Sequence, residues 1–321
     1  MRCTTRSGPA VSLLLVAAAC GDGPIGPDRT DEQLHTVVFH RQDTGENLLL
    51  NSDGTDAGAL DVPGSPALPI AVSGSGYTMA VVSGGVVALV RLDQPGSGVD
   101  TIMARPQVHS LASFSDDATL VGLVAYAPIR AVLVFDRGNR TVDTLAYGDM
   151  DAVLPPVFSP DNSEIAVITA SPLSLFSTIL FREDRSRRET NTIELSRFVT
   201  IPIFGWPRWT DEGLLMAFVR KGGARPDTLV SMVIEPTDPV EAIERFRAVL
   251  APVSDERPAL TFGDFSTYAY TDDGEALVLG ANPGTGGTER HALYLVTRAA
   301  GRVRLLLDDP AQRPVFPNFI N

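Results

Sequence analysis

From residue 34 to residue 321, short runs rich in Val, Leu, Ile, Thr and aromatic residues alternate with Gly, Asp, Asn and Pro, and no long stretch keeps a 3.6-residue apolar period. The pattern predicts strands joined by turns, so the fold class is all-β. The pattern also repeats. Phe158-Ser159-Pro160-Asp161-Asn162-Ser163 leads into the β run Glu164-Ile165-Ala166-Val167. The same order of aromatic, hydroxyl residue, acid, turn and apolar run starts at Phe114, Trp209 and Tyr270, and a degenerate copy spans Val72–Ala80. Measured at Asp116, Asp161, Asp211 and Asp272, the spacings are 45, 50 and 61 residues. A four-stranded propeller blade takes about 40–50 residues, so the spacing fits one blade per copy with one insertion. In each copy the aromatic is expected to end a strand and pack between neighbouring blades. Ser and Asp are expected to hold backbone amides in the turn, with Gly or Asn at positive φ.

A second hairpin follows within the units. Asn47–Asn51 runs into an Asp53-Gly54 turn, Ala131–Phe135 turns into Thr141–Leu145, and His291–Val296 turns at Gly301 into Val303–Leu307. These pairs are expected to be the outer strands of their blades. Six units result, starting near Leu34, Gly76, Ala118, Asn162, Glu212 and Gly274. The first opens on Thr36–Arg41 with no inner strand before it, and Arg313–Phe319 at the far end of the chain reads as that strand. The expected architecture is therefore a single six-bladed β-propeller closed by a C-terminal strand. Glu241–Leu250, which reads as a short helix or an outer strand, makes the fifth unit irregular and leaves seven or five blades open. The unit Phe158-Ser159-Pro160-Asp161 followed by Ile165-Ala166-Val167 resembles that of the TolB-type, or WD40-like, β-propeller repeats. Val37–Arg41 through Leu48–Gly54 resembles the opening unit of that family. The resemblance extends over nearly all of residues 34–321 and implies the propeller module. With no separate domain of the TolB kind before that module, it does not carry over a role in the Tol–Pal system.

The first residues follow another pattern. Arg2 and Arg6 precede an apolar run from Ala10 to Ala19, far shorter than the roughly 20 residues that span a bilayer, which reads as a signal-peptide core. It ends in Ala17-Ala18-Ala19-Cys20, which resembles the bacterial lipobox, with Ala17 where Leu is usual. The resemblance implies cleavage after residue 19 and a lipid on Cys20. Residues 20–33, rich in Gly and Pro, then read as a flexible tether. Gly21, where Asp would signal inner-membrane retention in enteric bacteria, leans the expected location to the outer membrane, facing the periplasm or the cell surface. Cys3 lies in the removed segment, so the mature chain has no disulfide or Cys-based metal site to offer. Formal net charge is −13, and −15 once Arg2 and Arg6 are gone, which argues against a nucleic-acid partner.

Catalytic templates find little. His35, His40, His109 and His291 form no His-x-x-His or His-Glu-x-x-His pattern and read as structural. The acidic pairs Asp116-Asp117, Asp272-Asp273 and Asp308-Asp309 point in different directions, and Asn51–Asp56 lacks the closing Glu of a calcium loop, so all read as turn chemistry. Val72–Gly76 is no nucleophile elbow, and Gly284–Gly287 reads as a hairpin loop. Of the aromatic group Phe204, Trp206 and Trp209, Trp209 fills its repeat position and Trp206 is the candidate surface contact for a partner. The expected function is that of a non-catalytic, monomeric envelope lipoprotein with no cofactor, binding an envelope protein or peptide. The alternative is an envelope enzyme or carbohydrate-binding propeller, which needs His40, His109 or His291 to meet acids at the central channel.

Overall fold

A computed structural model describes residues 35–41, 43–60, 68–73, 78–83, 86–92, 99–104, 108–125, 131–146, 151–152, 155–170, 177–183, 189–194, 201–202, 205–220, 228–235, 242–249, 267–281, 292–298, 303–307 and 314–320. The expected leader, Cys20 and the tether lie outside the described residues, as do His291, Asp308-Asp309, Phe204 and Gly284–Gly287. No helix among the described residues is long and apolar enough to cross a membrane.

The regular elements are β-strands in six antiparallel sheets. The first holds β1 (Thr36–Arg41), β2 (Glu46–Asn51) and β3 (Asp56–Leu60). The second is β4 (Leu68–Val72), β5 (Thr78–Ser83), β6 (Val86–Arg91) and β7 (Val99–Ala104). The third is β8 (Val108–Phe114), β9 (Leu120–Ala125), β10 (Ala131–Asp136) and β11 (Thr141–Ala146). The fourth has a broken inner edge, β12 (Asp151–Ala152) and β13 (Val157–Phe158), before β14 (Glu164–Ala170), β15 (Ser177–Glu183) and β16 (Glu189–Glu194). The fifth is built alike, with β17 (Ile201–Pro202) and β18 (Arg208–Thr210) before β19 (Gly213–Arg220), β20 (Thr228–Ile234) and β21 (Ala242–Val249). The sixth is β22 (Thr267–Tyr270), β23 (Ala276–Ala281), β24 (Ala292–Thr297) and β25 (Val303–Leu307). The last strand, β26 (Pro314–Ile320), returns to pair antiparallel with β1 and becomes the inner strand of the first sheet. The fold is an all-β propeller.

Each sheet is covered on both faces, which is why its strands read as continuous apolar runs instead of alternating ones. In β19 the even positions Leu214, Met216 and Phe218 pack with Val157, Ala166 and Ile168 of the fourth sheet. Its odd positions Leu215, Ala217 and Val219 pack with Tyr268, Leu277 and Leu279 of the sixth. Six such clusters occur among the described residues, each spanning two consecutive sheets. The one joining the sixth sheet to the first includes Val278, Leu295, Val37 and Phe319. Burial of this kind contributes roughly 1.5–3 kcal/mol per large aliphatic or aromatic side chain. The repeat aromatics stand where they were expected: Phe158 between the third and fourth sheets, Trp209 between the fourth and fifth, Tyr270 between the fifth and sixth.

Candidate functional site at the channel mouth

The site starts from a turn that several inner strands share. Ser115, Ser159 and Thr271 each follow the strand-ending aromatic, and each backbone N–H donates to the carbonyl five residues on, at Leu120, Glu164 and Ala276. The N–H of that later residue donates back to the Ser or Thr hydroxyl, at 2.8–3.0 Å. The same hydroxyls donate to Asp117, Asp161 and Asp273, whose Oδ1 atoms also accept the N–H of Thr119, Ser163 and Glu275. Ser73 reproduces the first part of the motif with Thr78. These hydrogen bonds favour the ionised carboxylates. The pKa of Asp161 falls to about 2, with the Ser163 amide as the largest cause. At Asp117 and Asp273 burial pulls the other way, and the donated hydrogen bonds outweigh it.

The turn acids are therefore Asp117, Asp161 and Asp273. This corrects the spacing drawn at Asp116 and Asp272, which stand one residue earlier, in the place of Pro160. Both are released toward the end of the central channel at which the inner strands finish. That mouth encloses about 620 Å³ of space open to solvent, and every sheet contributes to its wall: Phe319, Val72, Phe114, Phe158, Trp209 and Tyr270, in order round the ring. Arg208 lies across it. Its guanidinium is 3.0 Å from Asp116 of the third sheet and 3.5 Å from Asp272 of the sixth, while its own strand β18 belongs to the fifth. The side chain is 22% exposed, and its buried Nε has no hydrogen-bond partner among the described residues. One guanidinium thus bridges two carboxylates and leaves one N–H unsatisfied, with a net charge of −1 over the three side chains.

Arg208 is the mouth residue that the sequence reading passed over. The residues just before the strand-ending aromatic are Ser113, Val157 and Ala269 in the other copies, so an Arg there is out of pattern. That anomaly was the available signal.

Trp206, the candidate contact for a partner, is part of this mouth and little exposed. It is 8% exposed and lines the mouth, its indole N–H donating to the Ala112 carbonyl at 2.8 Å and its backbone N–H to the Tyr268 carbonyl at 2.8 Å. Gly205 permits this approach, since a Cβ there would sit 2.5 Å from the Tyr268 carbonyl oxygen. Ser113 also faces the mouth and donates its hydroxyl to the Pro156 carbonyl, tying the third sheet to the fourth.

His40 and His35 stand elsewhere. His40 is buried in β1 with Nδ1 3.1 Å from the Asn47 side-chain oxygen, and burial lowers its pKa. The His35 ring packs edge-on against Phe319, with centroids 5.5 Å apart. His109 lies on β8. Among the described residues, no histidine or cysteine lines the mouth, and no group of three or more His, Cys, Asp or Glu could hold a metal ion. In the loop Asn51–Asp56, Asp53 accepts from the Thr55 amide and hydroxyl, as a turn acid does.

No family model matches the chain, and no curated protein matches it. Solved structures show the fold. TolB from Acinetobacter baumannii is 14% identical with a TM-score of 0.60, over 89% of this chain and 66% of that one, so the chain spans just under two thirds of that protein's length. A structure of a nidogen/laminin complex gives 13% identity and a TM-score of 0.58, over 90% of this chain and 98% of that one. A TolB described as putative from Agrobacterium tumefaciens gives 12% and 0.52, over 90% and 98%. At these identities the likeness extends to the β-propeller fold and no further.

Proposed function

We propose that this protein is a non-catalytic lipoprotein of the bacterial envelope, anchored through Cys20, whose six sheets act as six blades of one closed ring and present the channel mouth to a protein or peptide. The observation that carries the reading is the composition of that mouth. All six inner strands contribute to one concavity in which aromatic and aliphatic residues meet Ser, Asn, Asp and Arg side chains, so that apolar surface and convergent polar groups share one place. The charged groups there are committed to one another, in the ion pairs of Arg208 with Asp116 and Asp272, instead of being arranged as nucleophile and base. The ring is rigid because each sheet is held on both faces, so a ligand meets a pre-formed surface whose ordering cost is already met.

Two measurements test this. Random peptides displayed on phage are selected against the full chain and counter-selected against a double variant, Asp116→Asn with Asp272→Asn. The expected survivors bind the wild type and shift its tryptophan emission, because both Trp residues of the chain, Trp206 and Trp209, line the mouth. Binders that leave the emission untouched, or no binders, would sink the scaffold reading at this site. For the anchor, Cys20→Ser should move the protein from the membrane to the soluble envelope fraction and remove palmitate labelling. Unchanged membrane association in that variant would refute lipidation at Cys20.

A further inference from the structure

We infer that the mouth takes a basic side chain of the partner, an Arg or Lys, between Asp116 and Asp272, and that Arg208 holds its place until the partner arrives. This deepens the scaffold reading and rests on it. Asp116 and Asp272 come from sheets on different sides of the ring and face one guanidinium between them. In both sheets it is the next residue, Asp117 or Asp273, that accepts the turn amide two positions on. Arg208 fits the gap imperfectly. It reaches Asp272 only at 3.5 Å and buries an Nε–H without an acceptor among the described residues, whereas a guanidinium or ammonium entering from solvent could approach both acids end-on. The walls suit the stem of such a side chain, since Phe114, Trp206 and Trp209 line the same mouth as the carboxylates. Charge favours the same class of ligand. The three mouth groups carry a net −1, exposed acids Asp117, Asp161 and Asp273 stand in the adjoining turns, and the chain as a whole carries −13. An anionic ligand would meet an Arg already neutralised twice over.

The test uses the full chain and two blocked heptapeptides of Gly and Ser, one with Arg at its centre and one with citrulline, which keeps the shape and removes the charge. The readout is the emission of Trp206 and Trp209 during titration. The Arg peptide should shift the emission saturably and the citrulline peptide should not. Arg208→Ala should tighten the Arg peptide about tenfold, because the resident competitor is gone, and Asp116→Asn with Asp272→Asn should abolish its binding. Arg140→Ala is the charge-matched control. Arg140 is 61% exposed and pairs with Asp100 away from the mouth, so its removal should leave the affinity unchanged. Equal binding of the citrulline peptide overturns the inference, as does Arg140→Ala matching Arg208→Ala. It also fails if calcium chloride alone gives the shift and excludes the peptide, since the acids would then take a metal ion. Selected peptides that engage the mouth without a basic residue would overturn this inference and leave the scaffold standing. If no peptide engages the mouth, both fail.

Discussion

Ala118, Asn162 and Gly274 occupy one place in three copies of the same turn, and all three have positive φ, at 55°, 59° and 66°. Each donates its backbone N–H to the Ser or Thr three residues before it. Gly takes this conformation without strain and Asn tolerates it, but an Ala there costs about 1–2 kcal/mol. Ala118→Gly should therefore stabilise the protein by about 0.5–1 kcal/mol after the greater chain entropy of Gly is deducted, or about 1–3 °C in melting temperature. A fall in the midpoint would mean that packing of the buried methyl outweighs the strain. The turn itself was legible, because Ser or Thr, an acid and an αL residue recur in fixed order. Its register was not, because Asp116-Asp117 and Asp272-Asp273 each offer two acids for one role, and only the hydrogen bonds show which does the work.

At the scale of the element, the outer hairpins were the clearest in the sequence, since β10 and β11 are full-length strands about a tight turn. The segment that read as helix or strand is β21, in which Phe246 and Ala248 are buried while Arg247 and Val249 are exposed, a period of two beyond the bulge at Arg245. Arg245 on that strand binds Glu212 at 2.9 Å and Glu275 at 3.0 Å, so it joins the fifth sheet to the sixth. The inner strands were the hardest to read. β13 and β18 are two and three residues long, too short to show any period, and their places are set by pairing with β14 and β19. The burial of Trp206 was illegible for a related reason. Its burial depends on a parallel bridge to Ala269 and on the absence of a side chain at Gly205, and both are contacts with residues more than 60 positions away. A lone aromatic between a Gly and a Pro carries no local trace of them.

At the scale of the whole molecule, the channel mouth brings together residues from Ala71 to Phe319, so no local window of sequence contains it, and only the repeat hinted at a centre. The repeat also spreads one ionisation over the ring. Asp117, Asp161 and Asp273 in three sheets, with Asp53 in a fourth, are all held below the ordinary carboxylate pKa. A carboxylate whose folded pKa is depressed stabilises the fold fully above its unfolded pKa of about 3.9, and that contribution is lost as pH falls through the folded value. His40 acts earlier in the descent. Burial lowers its pKa, so the fold prefers the neutral ring, and stability begins to decline as pH drops below about 6.5, where the unfolded chain takes up the proton. The melting temperature should therefore sag gently below pH 6.5 and then fall steeply between about pH 4 and the folded value near 2. Asp161→Asn separates the ionisation from the turn geometry, because the amide oxygen can still accept the Ser163 N–H but carries no charge. The variant should melt below the wild type at neutral pH, and the gap should close as pH falls from 4 toward 2, where the wild-type carboxyl is itself protonated. A gap of constant size across that range would show that Asp161 acts through shape alone, and the steep acid limb would then have to come from the other carboxylates.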